Sequence, residues 1–101
     1  MYKDSGTTVR VQVVQLDHAW VSLDKPKVSV LKIDVEGGEV GVLQGAAELI
    51  QAQRPAILLE ANFPKQLERF SSVLDVFGYY ATQPPGFMPW NYLYLQTSAV
   101  R

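Results

Sequence analysis

Carboxylate and amide side chains stand at the ends of two apolar segments of this chain. Asp34 and Glu36 follow the segment VSVLKI, while Glu60 ends the segment AILLE and Asn62 lies just beyond it. Ligands of open α/β sheets bind beyond the carboxyl ends of the strands, so these side chains are predicted to meet at one sheet edge. Acids in that position can accept a substrate proton, orient a hydroxyl or ammonium group, or hold a cation through oxygen ligands.

Structural roles compete with chemical ones for some of these residues. Glu39 flanks a predicted helix start, where the helix dipole favours a negative charge by about 0.3–1 kcal/mol. Asn62 has the residue type of a helix cap. Asp34 ends an apolar strand, and a carboxylate is costly to bury there without a partner, which favours a functional role. Glu60 follows the same logic. Gly37 and the glycine after it predict a tight strand-to-helix turn, and no phosphate-binding glycine motif is present.

The elements that must position these residues alternate between strand and helix. A residue spacing of two, or a continuous apolar run, predicts strands at 9–16, 28–35, 56–60, 79–82 and 92–97. Helical spacing predicts one helix from Glu39 to Arg54 and a second between Asn62 and Gly78. The run 28–35 is apolar enough to be buried on both faces of a parallel sheet. The fold class is therefore α/β, with parallel strands, flanking helices and a terminal antiparallel pair.

Two further features concern packing. Gly45 interrupts the first predicted helix, which indicates a close approach between that helix and the sheet. The loop between the last two strands carries aromatic residues, and Trp90 with Phe87, Met88 and Tyr92 can either line a pocket or cover the core.

Length and composition limit the function further. The 101 residues suffice for one domain, here 9–101 after a polar and frayed start at 1–8. The net charge of −1 without any basic block argues against a nucleic-acid surface. The apolar runs fall short of the roughly 20 residues that span a bilayer. The sequence has no cysteine, so redox chemistry does not fix the compartment, and a cytoplasmic protein is the default expectation. His18 is the only histidine, which excludes a two-histidine metal site.

The segment LKIDVEGGEVGVLQGA at 31–46 resembles the FkbM methyltransferase family. Members of that family carry a lysine, an apolar residue and Asp-Val-Glu-Gly, followed by a glutamate and a helix that contains leucine and Gly-Ala. The Leu-Asp pair ending at Asp17 and the Arg-Pro pair before AILLE also match, so the resemblance runs from about residue 9 to residue 97.

The resemblance implies the Rossmann-like sheet of seven-stranded methyltransferases, with 28–35 and 56–60 as its fourth and fifth strands. It also implies S-adenosylmethionine as cofactor and O-methylation of a small-molecule, sugar or lipid-linked hydroxyl acceptor. The site residues that follow by position are catalytic Asp34, Glu36 and Glu60, cofactor-binding Asp34 and Gly37, and substrate-binding Glu39, Asn62 and Trp90. No metal ligand is assigned.

The sequence departs from the family pattern at the donor site. The glycine-rich first strand and the acid that ends the second strand have no counterpart, so we expect this carboxy-terminal half to be inactive alone. Without the first strand, the fourth presents an open edge that invites pairing with a second copy or with an amino-terminal half. Two alternatives remain. One is a non-catalytic binding or regulatory module acting through that edge, and the other is a cation site for hydrolysis or phosphoryl transfer.

Overall fold

The computed structural model describes residues 14–35 and 37–97, which form a mixed α/β arrangement. The elements in these ranges, in chain order, are α1 (Leu16–Ser22), β1 (Val30–Ile33), α2 (Glu39–Gln44), α3 (Ala47–Gln53), β2 (Ala56–Glu60), α4 (Pro64–Asp75), β3 (Tyr79–Thr82) and β4 (Asn91–Gln96). Within the described ranges, no helix is both long and apolar enough to cross a membrane.

The four strands form one sheet in the order β1-β2-β4-β3. β1 and β2 are parallel, with Lys32 opposite Leu58 and Ile33 opposite Leu59. β4 lies antiparallel to both β2 and β3. The predicted parallel pairing and the terminal antiparallel pair are therefore confirmed, and the sheet is that of a partial Rossmann-like fold.

The first buried strand is shorter than predicted and is not buried on both faces. β1 covers four residues, and among the described strands it lies at the sheet edge. Ile33 is buried and Leu31 half-buried, whereas Val30 is 62% exposed and Lys32 is exposed. The prediction of burial on both faces was wrong because only the face carrying Leu31 and Ile33 packs against the core.

The strand predicted for 9–16 is wrong where it can be compared with the structure. Residues 9–13 lie outside the described ranges. Val14 and Gln15 belong to no strand, and Leu16 begins α1. The segment between the two predicted strands at 9–16 and 28–35 therefore contains a helix. Trp20 is the buried residue of this helix, and its indole N–H donates to the Pro26 carbonyl at 2.9 Å.

Asp17 in α1 caps a helix distant in sequence. Its two carboxylate oxygens each accept a hydrogen bond of 2.9 Å, one from the Glu48 N–H and one from the Leu49 N–H in the first turn of α3. The Asp17 N–H itself donates to the Gly45 carbonyl at 2.8 Å. A carboxylate at a helix amino terminus satisfies free N–H groups and complements the positive end of the helix dipole. Asp17 therefore ties α1 to the start of α3.

The helix predicted from Glu39 to Arg54 is broken into α2 and α3. The break falls at Gly45, whose carbonyl is the acceptor for the Asp17 N–H. A Cβ added to Gly45 would lie 3.5 Å from the Gln15 side chain. The expected close approach therefore involves the segment before α1 and not the sheet, and the break lets α3 present its own amino terminus to Asp17.

The core lies between the sheet and the helices. Its larger members are the buried side chains of α2, α3, β2, α4 and β4, namely Leu43, Ile50, Ile57, Leu59, Phe70, Leu74 and Tyr94. α4 begins with Pro64, which is tolerated in a first turn, and its predicted inward residues Phe70 and Leu74 are buried. Gly78 ends that region with φ of +83°, as expected for a left-handed residue after a helix.

A buried tyrosine joins β3 to the segment before β2. The Tyr79 hydroxyl donates to the Pro55 carbonyl at 2.6 Å. Burial raises the pKa of Tyr79 from 10.0 to about 12, and the nearby positive charge of Arg54 partly opposes that rise. Tyr79 is therefore neutral in the folded protein throughout the physiological pH range.

We expect the free energy of unfolding to fall as the pH rises from 10 to 12, because the unfolded chain releases the Tyr79 proton first. The contribution lost is about 2–3 kcal/mol, fully present below pH 10. Tyr79→Phe should remove this part of the alkaline loss and cost about 1–2 kcal/mol at neutral pH, since the Pro55 carbonyl loses its donor.

Urea denaturation at a series of pH values measures both effects. Tyr80→Phe is the matched control, because Tyr80 is the next residue and is exposed. Tyr94, whose pKa burial also raises, is unchanged in both variants. If the free energy of unfolding fell equally between pH 10 and 12 in the native protein and in Tyr79→Phe, Tyr79 would not be the source of the loss.

Candidate functional site

The carboxyl ends of β1 and β2 border a cleft of about 210 Å³ that contains most of the predicted site residues. We call it the acid cleft, and its lining residues are Ile33, Asp34, Gly37, Glu39, Glu60, Asn62 and Gln66. The parallel register explains the convergence. Ile33 lies opposite Leu59, so the next residue of each segment, Asp34 just after β1 and Glu60 at the end of β2, lies at the same edge of the sheet. The catalytic and binding roles assigned to these residues remain predictions.

Two predicted site residues lie elsewhere. Glu36 falls outside the described residues. Trp90 borders an adjoining space of about 180 Å³, together with Lys32, Asp34 and Glu60. Asp34 and Glu60 therefore border both spaces. Trp90 lies beside these acids but does not line the acid cleft.

Hydrogen bonds hold Asn62 and Glu60 together. The Asn62 side-chain amide donates to one carboxylate oxygen of Glu60 at 3.1 Å, and the Asn62 backbone N–H donates to the Gln66 side-chain oxygen at 2.7 Å. The residue at the capping position of α4 is Phe63 and not Asn62, so the predicted helix cap was wrong. The amide of Asn62 orients Glu60 instead and leaves the second Glu60 oxygen for another partner.

The turn between β1 and α2 borders the acid cleft. Gly37 has φ of +80°, a conformation that residues with a side chain rarely adopt. A Cβ built there would meet nothing within 4 Å, so the glycine is required by the backbone and not by crowding. Gly38 caps α2, and Glu39 follows in its first turn. The turn therefore directs both Asp34 and Glu39 towards one cleft.

Carboxylates are the charged groups of the acid cleft. Among its described lining residues, Asp34, Glu39 and Glu60 are ionisable and none is a lysine or an arginine. No three acidic, histidine or cysteine side chains of the described residues are grouped closely enough to hold a metal ion. The cation site considered above stays a prediction. A sulfonium or ammonium group would be stabilised by the carboxylates through charge attraction.

An aromatic groove adjoins the acid cleft. Its volume is about 310 Å³, and its lining residues are Ala61, Asn62, Phe63, Pro64, Leu67, Pro89, Trp90 and Tyr92. Asn62 lines both spaces, so they are neighbours. Phe63 is 66% exposed and was not predicted as a site residue. The sequence signal that could have indicated Phe63 is its position between Asn62 and Pro64, shortly after the acid that ends β2. Phe87 and Met88 are exposed, and neither lines this groove nor covers the core.

A wider apolar groove of about 530 Å³ lies beside α1 and α2, and its described lining residues are Val14, Gln15, Leu16, Ala19, Gly38, Gly41, Val42 and Gly45. None of these described residues carries an ionisable side chain. The smaller acid cleft is therefore the better candidate for chemistry.

A parallel strand pair with acids at its carboxyl ends, beside an antiparallel pair, defines a partial Rossmann-like α/β domain with a cleft at the sheet edge. The model of the methyltransferase FkbM domain matches residues 1–83, and the chain therefore belongs to the FkbM methyltransferase family. No curated protein and no solved structure matches it significantly.

The roles of two glycines near the cleft can be separated by substitution. Gly37→Ala should destabilise the protein by about 1–2 kcal/mol, because alanine is strained at a φ of +80°. Gly41→Ala should stabilise it by about 0.5–1 kcal/mol, since Gly41 lies inside α2 and an added Cβ has open space. Urea denaturation of both variants gives the comparison, and Gly37→Asn should recover part of the loss. A neutral or stabilising Gly37→Ala would rule out the left-handed turn.

Proposed function

We propose that this chain takes part in S-adenosylmethionine-dependent O-methylation and that the methyl donor and the acceptor meet at the acid cleft. Membership of the FkbM methyltransferase family supports methyl transfer as the reaction class. The observation that carries the proposal is the acid cleft itself, which brings Asp34, Glu39 and Glu60 together without a lining cation. A small molecule, a sugar or a lipid-linked compound with a hydroxyl group is the acceptor class.

Glu60 is the residue proposed to handle the acceptor proton. One of its carboxylate oxygens is held by the Asn62 amide at 3.1 Å, so the other can accept a hydrogen bond from an acceptor hydroxyl. As the hydroxyl oxygen forms its bond to the methyl carbon and the carbon–sulfur bond breaks, the hydroxyl proton passes to this carboxylate. A positioned carboxylate acting as general base accelerates such a step by about 10²–10⁴-fold.

Asp34 and Gly37 lie on the proposed donor side of the acid cleft. S-adenosylmethionine, when bound, supplies an electrophilic methyl group on a positively charged sulfur. The negative charge of Asp34 favours that cation, and the Gly37 turn keeps the Asp34 segment at the strand end. The cleft, at about 210 Å³, is smaller than the roughly 300–1,000 Å³ typical of complete ligand pockets. Together with the missing glycine motif, this size leads us to expect weak donor binding by the chain alone.

The second candidate is a binding module that acts through the edge of β1. The Ala56 N–H donates to the Ser29 carbonyl at 2.9 Å, so the parallel ladder turns the backbone of Leu31 towards β2. The backbone groups of Val30 and Lys32 then point to the edge of β1 that none of the described strands covers. Exposed edges of this kind pair with further strands, from a second copy or from an amino-terminal half.

Titration with S-adenosylmethionine, followed by amide-resolved NMR, tests the first candidate. We expect saturable shifts at Asp34, Gly37 and Glu60, with affinity about three- to tenfold higher than for S-adenosylhomocysteine, whose sulfur is uncharged. Asp34→Asn should remove most of this preference. Asp75→Asn is the matched control, because Asp75 is an exposed acid at the end of α4.

The same titration separates the two candidates. Equal affinity for the charged and uncharged sulfur compounds would contradict a role of the acid cleft at the donor sulfur. No shifts at millimolar donor would leave the chain without methyltransferase activity of its own and favour the edge of β1 as its working surface. A monomeric mass by light scattering would then count against pairing between two copies.

A further inference from the structure

The aromatic groove is lined by two large apolar side chains, those of Phe63 and Trp90, that are exposed to solvent. Phe63 is 66% exposed and Trp90 is 42% exposed, although both border a concave surface. Exposed apolar groups that line a concavity mark ligand sites more often than isolated ones do. The groove therefore presents two flat aromatic surfaces to whatever occupies it.

Both aromatic residues are anchored through their backbones. Phe63 caps α4 and precedes Pro64, whose ring fixes the local backbone. The Trp90 carbonyl accepts a hydrogen bond of 2.8 Å from the Ala61 N–H, which fastens the β3–β4 loop to the end of β2. The backbone positions of both residues are therefore tied to neighbouring elements, which favours a preformed groove.

Size and charge restrict the ligand. A volume of about 310 Å³ is at the low end for small-molecule sites and suits one or two rings. The lining of the groove has no charged side chain, while the adjoining acid cleft contributes Glu60 through their shared residue Asn62. Two carboxylates, of Asp34 and Glu60, and one lysine, Lys32, border the space that Trp90 shares with them, so negative charge exceeds positive charge there. This excess disfavours an anionic ligand, and the carboxylates accept hydrogen bonds from hydroxyl or ammonium groups.

We propose that the aromatic groove binds the ring of a small hydroxylated aromatic acceptor that is neutral or cationic, with its hydroxyl group directed to Glu60. The ring packs between Phe63 and Trp90 in offset or edge-to-face geometry. The identity of this ligand as a methyl acceptor rests on the function proposed above, whereas its binding does not. Phe63 and Trp90 are then specificity-determining residues.

The two tryptophans of the chain provide a built-in test by NMR. Trp90 lies in the groove, whereas Trp20 is buried and its indole N–H is bonded to the Pro26 carbonyl. Each gives one indole N–H resonance, and a Trp90→Phe sample assigns them. A ligand in the aromatic groove should therefore shift the Trp90 resonance and leave that of Trp20 in place.

The probes are tyramine, tyrosol and para-hydroxyphenylacetate, which share a phenol ring and are cationic, neutral and anionic at neutral pH. Methyl glucoside is the hydroxylated probe without an aromatic ring. We expect saturable shifts of the Trp90 resonance with tyramine and tyrosol, and affinity about tenfold lower for the anion. Methyl glucoside should bind more weakly than tyrosol. The titrations contain no methyl donor, so their outcome is independent of donor binding.

Variants locate the site. Phe63→Ala should weaken tyrosol binding about tenfold, while Tyr80→Ala, which removes an exposed aromatic residue opposite Leu95 and outside the groove lining, should leave the affinity unchanged. Glu60→Gln should reduce the preference for tyramine over the anionic probe. The proposal is overturned if Trp90 does not respond at millimolar tyrosol, if the anion or methyl glucoside binds as tightly as tyrosol, or if Phe63→Ala and Tyr80→Ala bind alike.

Discussion

The parallel register between β1 and β2 is the constraint on which the candidate site depends. It places Ile33 opposite Leu59, and Asp34 and Glu60, the next residue of each segment, therefore lie side by side at the carboxyl ends of the two strands. A slip of one residue would turn every side chain of β1 to the opposite face and expose Ile33 instead of Val30. The burial of Ile33 in the core thus fixes the register, and the register in turn fixes the separation of the acids. The chemistry proposed for the cleft is a consequence of apolar packing behind it.

Local polar contacts refine what the register sets. Asn62 holds Glu60 by its amide, and Gln66 holds the Asn62 backbone, so one hydrogen-bonded chain runs from α4 to the cleft. On the other side, the left-handed Gly37 directs the chain from Asp34 into α2. The same edge continues into the aromatic groove around Phe63. The proposed roles, which are proton transfer, attraction of a positive charge and binding of an aromatic ring, therefore fall on neighbouring parts of one sheet edge.

Sequence patterns predicted the elements that are governed by local periodicity. The strand 56–60 and the helix α4, with Phe70 buried, were found because their spacing and end signals lie within a few residues. The helix α1 and the break at Gly45 were missed because their cause is a cap by Asp17 on a helix that begins far along the chain. Phe63 was missed for a related reason, since its place in a groove depends on Trp90 from a distant loop.

An NMR measurement of contacts and hydrogen exchange at β1 tests the parallel register of β1 and β2 directly. We expect cross-strand contacts between Lys32 and Leu58 and between Ile33 and Leu59. We also expect slow amide exchange at Leu31 and Ile33, whose backbones face β2, and faster exchange at Val30 and Lys32. Contacts shifted by one residue, or protection at Lys32 with rapid exchange at Leu31 and Ile33, would contradict the register and with it the shared cleft of Asp34 and Glu60.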